Sequence, residues 1–375
     1  MRRPYLVLTA VCAVVKVLGF SSLAHGSDSC VQASRFVQEG ALLADGSDRE
    51  RQLYLAAIDR CPKMAEAYHN LGLLATKVGD LDGAKEYLQK ALTLRDDAKF
   101  RSGLANVFLE QGNHEASAVE YQRVLERDKS FVPALQGMSV VYERRKEFDR
   151  SLEVLEKARS IDPESVVTLY NLGVVYDRLG KLEQAVEAYR SAVRVDPKHE
   201  DAHYFLGVAL RKQGAIKESV SAFEEAAKLQ PNSVRTQQAL GALYGLLDMK
   251  DEAEVAFRRA VSLDTSNTQS LLNLAAILFE KKQQEKALET VEAVLRIEPN
   301  NSRAHLIHGL AAFELGRLES AESSLVAAIA ADPASADAHF YLGVLYGQTG
   351  RKREASREYQ SAAKLDPKFR DRVRE

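Results

Sequence analysis

Cysteine is scarce. The chain of 375 residues contains Cys12, Cys30 and Cys61, too few for a disulfide-built scaffold or a cysteine-rich zinc module. An excess of either charge is also lacking: 51 basic side chains stand against 53 acidic ones, for a formal charge of -2. No overall basic field is available to hold phosphate backbones, so nucleic acid is not an expected partner, although a local patch stays open. Tryptophan is absent and proline numbers only 9, while 46% of residues are hydrophobic and 28% charged; this composition excludes a disordered or collagenous chain and fits a packed one. Long apolar runs are missing too. The longest, Tyr5 to Val15, is shorter than the about 20 residues of an ordinary membrane span, and extending it to Leu23 takes in Lys16.

That short run has a context. Met1-Arg2-Arg3 precedes it and Ser22-Leu23-Ala24 follows it, the layout of a secretory signal peptide cut before His25. Residues 1–24 are therefore expected to be a signal peptide, with an uncleaved N-terminal anchor as the alternative. Cys12 follows Val11 and lacks the small residue that a lipoprotein cleavage site needs. The expected destination is the periplasm or the exterior, and membrane contact is expected only if the segment is uncleaved.

What the chain has in plenty is self-similarity. Pro163, Pro197 and Pro231 are 34 residues apart, and Pro299, Pro333 and Pro367 stay in phase. Gly173, Gly207, Gly241, Gly309 and Gly343 keep the same period, as do Ala185, Ala253, Ala287, Ala321 and Ala355. A fixed period of this length is the signature of a repeat array. Within Val166 to His199, Leu169, Leu172, Val175, Tyr176 and Leu179 recur at helical spacing, Gly180 interrupts, and Val186, Tyr189, Val193 and Val195 form a second amphipathic segment. Small residues at Gly173 and Ala185 let the two helices approach closely.

Leu172-Gly173, Tyr176, Gly180, Ala185, Tyr189, Ala192 and Pro197 resemble the tetratricopeptide repeat. The resemblance places repeats from about Ala65, Ala98, Val132, Val166, Glu200, Val234, Thr268, Ser302 and Ala336, so that residues 65–369 hold nine of them. Residues 25–64 form a degenerate first repeat keeping Tyr54, Ala57 and Pro62, and residues 370–375 a charged tail too short for a complete capping helix. No stretch is left for a separate catalytic domain. The resemblance implies an all-α, right-handed solenoid of antiparallel helix pairs whose concave face binds peptides or partner proteins, with no cofactor. Cys30 and Cys61 flank the degenerate hairpin at ends that antiparallel packing brings together, and in an oxidising compartment they should form a disulfide.

Two histidine pairs have the spacing of metal ligands. His199-Glu200-Asp201-Ala202-His203 matches the HExxH spacing of zinc peptidases, in which two histidines one turn apart hold the metal and the glutamate acts as base. A metal-dependent hydrolase using His199, Glu200 and His203 is the alternative function. The repeat register opposes it, since His199 falls in the turn after Pro197 and the helix should start at Glu200. His305 and His308 share a helix face but have no evident third ligand, and no metal is expected. The family's carboxylate clamp is not carried over, because His69, Leu73, Ser102, Asn106 and Gly137 stand where lysine and asparagine would be required.

Counting from each repeat start, positions 2, 5, 9, 12 and 13 lie away from the packing face formed by 4, 7, 8 and 11. Positions 5 and 9 are largely apolar from the fourth repeat on: Tyr170, Val174, Tyr204, Val208, Leu272, Ala276, Leu306, Leu310, Phe340 and Val344, with Phe279 and Phe313 at position 12. Position 13 holds Arg144, Arg178 and Lys212, then Glu280 and Glu314. This stripe is the candidate partner groove, its basic end facing an acidic ligand segment. The sequence thus predicts an exported, non-enzymatic scaffold in a multiprotein complex, with envelope, secretion or polysaccharide assembly as the process that exported members of the family suggest.

Overall fold

The computed structural model describes residues 28–370, all of whose regular structure is helical. The expected signal peptide, Cys12 and residues 371–375 of the charged tail lie outside the described residues. Helices α1 (Asp28–Leu43), α2 (Asp48–Arg60), α3 (Ala65–Val78), α4 (Leu81–Leu94), α5 (Ala98–Glu110), α6 (His114–Arg127), α7 (Val132–Arg144), α8 (Phe148–Ile161), α9 (Val166–Arg178) and α10 (Leu182–Val195) form one compact unit. The second holds α11 (Glu200–Gln213), α12 (Ile216–Leu229), α13 (Val234–Leu246), α14 (Lys250–Leu263), α15 (Thr268–Glu280), α16 (Gln284–Ile297), α17 (Ser302–Glu314), α18 (Leu318–Ala331), α19 (Ala336–Gln348) and α20 (Lys352–Leu365). A single 3₁₀ turn, Pro367–Phe369, follows. Every odd-numbered helix from α3 on begins at a residue where the 34-residue period starts a repeat.

Local chemistry sets these boundaries. Ser165, Ser233, Asn267, Asn301 and Ser335 each accept, through the side chain, the amide of the residue three further on, so the first helix of those pairs starts with a filled cap. The turn between paired helices needs one left-handed residue. Gly180 supplies it at φ +72°, whereas Lys146, Asp248 and Lys282 adopt φ of +61°, +58° and +59° at the equivalent place, where a side chain is strained.

The helices of a pair meet where the sequence placed its small residues. A Cβ on Gly173 would stand 2.5 Å from the Tyr189 ring, and Ala185, Ala253, Ala287 and Ala321 are fully buried. Successive pairs then stack within each unit. First helices touch the first helix of the next pair (α3 with α5, α5 with α7, α7 with α9; α13 with α15, α15 with α17, α17 with α19). Second helices make no comparable contact with one another among the described residues. Rows of first helices set closer together than the second helices bend towards the first-helix side, which becomes the inner face of each unit.

At the N-terminal end, Cys30 and Cys61 are bonded, with their Cα atoms 5.0 Å apart. Cys61 is buried with Ala33, Ala57 and Ala67, so the bridge fastens α1 across the end of α2 next to α3.

Candidate functional site

The predicted anchors divide by position. At position 5, Tyr170 and Leu272 are only 8% and 5% exposed, so neither is the exposed groove anchor that the sequence suggests. The reason is that position 5 turns towards the second helix of its own pair and, at Leu272, also towards the next pair. Tyr170 lies 5.9 Å from the Tyr189 ring, and Leu272 is packed with Val291, Val294 and Ile307. Tyr204 is half-buried, edge-on to Phe223 at 5.2 Å, with the Arg235 guanidinium 4.2 Å above its ring. Leu306 leans on the core of the last repeats, and Phe340 stacks on Phe369 at 4.6 Å. Phe369 is itself 2% exposed, so this single residue covers the apolar end of the last pair despite the shortness of the tail.

Elsewhere position 5 is polar and does the same work by hydrogen bonds. Gln136 donates to Ser165 and Thr168, each at 2.9 Å; Gln238 donates to Asn267 at 2.9 Å and to Ser270 at 2.7 Å. Each glutamine grips the cap of the next pair's first helix. The sequence reading missed both, although the shared position was visible.

Positions 9 and 12 behave differently. Val174, Val208, Leu310 and Val344 are partly exposed, as are Phe279 and Phe313, which pack against the core. Leu246, at position 13 between Lys212 and Glu280, is 69% exposed and interrupts the row of charges at that position. Ala242 and Gly245 beside it lack bulk.

The charged rim carries its own counter-ions. Arg178 Nε lies 3.8 Å from Glu143, which stands at position 12 one repeat earlier. Arg144 and Lys212 are exposed and also have partners. Arg144 and Arg178 belong to the first unit and Lys212 to the second. On the acidic side, Glu280 pairs with Lys250 at 3.5 Å, and Glu314 with Lys282 at 3.1 Å and Gln284 at 2.7 Å. Arg178, Glu280 and Glu314 thus already stand beside counter-ions.

The HExxH residues are each engaged in holding the repeat. His199 caps α11, its Nδ1 accepting from the Ala202 amide at 3.1 Å. His203 donates from Nε2 to the Pro197 carbonyl at 3.1 Å, as His305 does to Pro299 at 2.8 Å and His339 to Pro333 at 3.2 Å. Glu200 and Asp201 both bind Arg235 of the next pair, the former at 3.1 Å; burial raises the Glu200 pKa and Arg235 opposes the rise. His308 fills a position held by leucine in neighbouring repeats, its Nδ1 2.8 Å from Ser324 Oγ. Burial lowers its pKa, with Glu292 working against the shift. Among the described residues, no group of three His, Cys, Asp or Glu side chains is placed to hold a metal ion.

Sequence models of the tetratricopeptide repeat match residues 65–97, 131–198, 170–234 and 306–368, and one described as anaphase-promoting complex, cyclosome, subunit 3 matches residues 248–328. A TPR repeat-containing protein of Pseudomonas aeruginosa is 33% identical over 99 residues, which is 26% of this chain and 40% of that protein. The chain thus spans about two fifths of the length of this curated relative. Among solved structures, PilF of Pseudomonas aeruginosa is similar with a TM-score of 0.50 and 21% identity, over 58% of this chain and 97% of that one. YrrB, described as a TPR protein with an unusual peptide-binding site, has a TM-score of 0.45 at 23% identity, over 49% and 95% of the two chains. MamA has a TM-score of 0.41 at 22% identity, over 44% and 97%. With helix pairs stacked in rows, glycine and alanine at their crossings, and repeat models matching over more than half of its length, the chain belongs to the tetratricopeptide repeat family of protein-interaction scaffolds.

Proposed function

We propose that this protein is an exported, non-catalytic scaffold that holds a peptide or partner-protein segment along the inner face of its first helices. The carrying observation is the run of partly exposed apolar side chains on that face of the second unit: Leu246, Phe279, Leu310 and Phe313, continued by Val344. Apolar side chains recurring along a bent row of helices suit the apolar side of an extended or helical segment. Position 5 contributes stiffness, because Leu272, Gln136 and Gln238 tie neighbouring pairs together. A surface that is rigid before binding loses less entropy on association.

Export rests on the N-terminal pattern, and the bonded Cys30–Cys61 pair agrees with an oxidising compartment such as the periplasm. Assembly of an envelope, secretion or polysaccharide complex is the process proposed. Partner capture from native envelopes, followed by titration of the full chain, tests the groove. Leu310→Ala with Phe313→Ala should weaken binding by at least ~2 kcal/mol if these are buried anchors; unchanged affinity with unchanged helical content would move the partner off this face. N-terminal sequencing of the native protein tests export, and a terminus at Met1 or Arg2 would refute cleavage.

A further inference from the structure

The last helix differs from the second helices before it. In the second unit, α12 exposes Glu218 and Glu225, α14 Asp251 and Glu252, α16 Glu285, Glu289 and Glu292, and α18 Glu319. From Lys352 to Arg370 the acidic side chains, Glu354, Glu358 and Asp366, are 41%, 23% and 35% exposed and each is paired, whereas Lys352, Arg353, Arg357, Lys364 and Arg370 stand exposed. The acids of this stretch are turned to internal partners: Glu354 to Arg351 at 2.6 Å, Glu358 to His339 at 2.6 Å and Asp366 to Lys368 at 3.1 Å. Lys352, Arg353, Arg357 and Lys364 have no ion-pair partner among the described residues. Arg353, Arg357, Gln360 and Lys364 fall at intervals of four, three and four, which is one face of a helix, about 17 Å long at 1.5 Å per residue. Arg353 and Arg357 are like charges one turn apart, an arrangement that costs an isolated helix a little stability and that a facing anion would reverse.

We propose that the outer face of α20 docks on a bilayer bearing anionic headgroups. The face is a single convex helix with no wall, and Leu365, 42% exposed, is its only large exposed apolar side chain. An acidic peptide would find charge there but no pocket to fix its path. A plane of headgroups needs neither, because a polybasic face is attracted to it by summed charge, each Lys or Arg adding a comparable increment within a Debye length. This contact lies on the side of the unit opposite the inner groove, so a partner segment and a bilayer can be held at once. It also adds a membrane contact that does not depend on the N-terminal segment.

The test is co-sedimentation of the full chain with phosphatidylglycerol-containing and purely phosphatidylcholine vesicles. Neutral vesicles report insertion by the apolar N-terminal run, which every variant shares. The wild type should bind the anionic vesicles more tightly and release them when ionic strength rises from about 0.05 to about 0.5 M. Arg353→Gln/Arg357→Gln/Lys364→Gln should weaken anionic binding roughly a hundredfold at low salt. Lys217→Gln/Lys286→Gln/Arg296→Gln makes the same change in net charge on other helices and should leave binding within about threefold. Equal binding to both vesicle types, equal losses in the two triple variants, or tighter binding to poly-glutamate than to anionic vesicles would each overturn the proposal.

Discussion

Acidification should loosen the repeat around His69 before it affects most of the chain. His69 lies on α3 with its ring 4.7 Å from that of Phe100, and its Nδ1 is buried with no hydrogen-bond partner among the described residues. Burial pushes its pKa from 6.5 down to about 4, against the pull of Asp97 and Glu66 and with help from Lys99 and Arg95. Folding therefore favours the neutral ring. Above pH 6.5 both states are neutral there and the full stability is present; between that pH and 4 only the unfolded segment takes the proton, so stability falls as pH falls. The full shift corresponds to about 3 kcal/mol, of which about 2 kcal/mol is lost by pH 5. Amide exchange of α3 and α5, corrected for the intrinsic pH dependence, should report that loss between pH 7.5 and 5. His69→Leu should remove most of it, because the replacement has no proton to take. Nuclear magnetic resonance titration of the His69 ring gives the independent measurement. A midpoint at 6 or above, or an equal acid response in His69→Leu, would refute the reasoning.

Other perturbations have equally definite signs. Gly173→Ala places a methyl group 2.5 Å from the Tyr189 ring and should cost ~1 to 3 kcal/mol by overpacking, read as lost protection of α9 and α10 in amide exchange. Lys146→Gly relieves a side chain held at φ +61° and should raise stability against urea by up to ~1 kcal/mol, a gain that the equivalent change at Gly-containing turns cannot give. Reducing the Cys30–Cys61 bridge, which spans 31 residues of chain, should destabilise the α1–α2 hairpin by about 4 kcal/mol in the chain-entropy account, with limited proteolysis cutting first between residues 28 and 64.

The fold was legible because a period of 34 repeats the same physical demands until coincidence is excluded. Proline ends the second helix, glycine turns the chain, and glycine or alanine sits wherever two backbones approach. The helix starts at Val166, Val234 and Ser302 follow from a capping residue just before each. The candidate surface was less legible, because periodicity on a helix gives angle but not neighbour. Tyr170 and Leu306 share position 5, yet one is buried and the other half-exposed, since the residues facing them come from other helices and differ between repeats. Gln136 and Gln238 were visible at that position, but their role depends on Ser165 and Asn267 from the following repeat. Arg178 read as one rung of a basic ladder until Glu143, on the preceding first helix, stood beside it.

That self-pairing changes what the inner face can do. Rim charges that already hold partners offer a ligand only an exchange of ion pairs, and exposed pairs are worth little each. Affinity must then come from the apolar strip, with the charges deciding which ligand registers are rejected: a ligand cation placed against Arg178, or an anion against Glu314, would break a pair without replacing it. Such a surface discriminates by penalty more than by attraction. The face of α20 has the opposite construction, with cations whose own acids are turned away. On this proposal the inner groove selects a segment by shape and the outer face of α20 finds a charged plane. Salt separates the two, since raising ionic strength should release the second contact while leaving the first nearly unchanged.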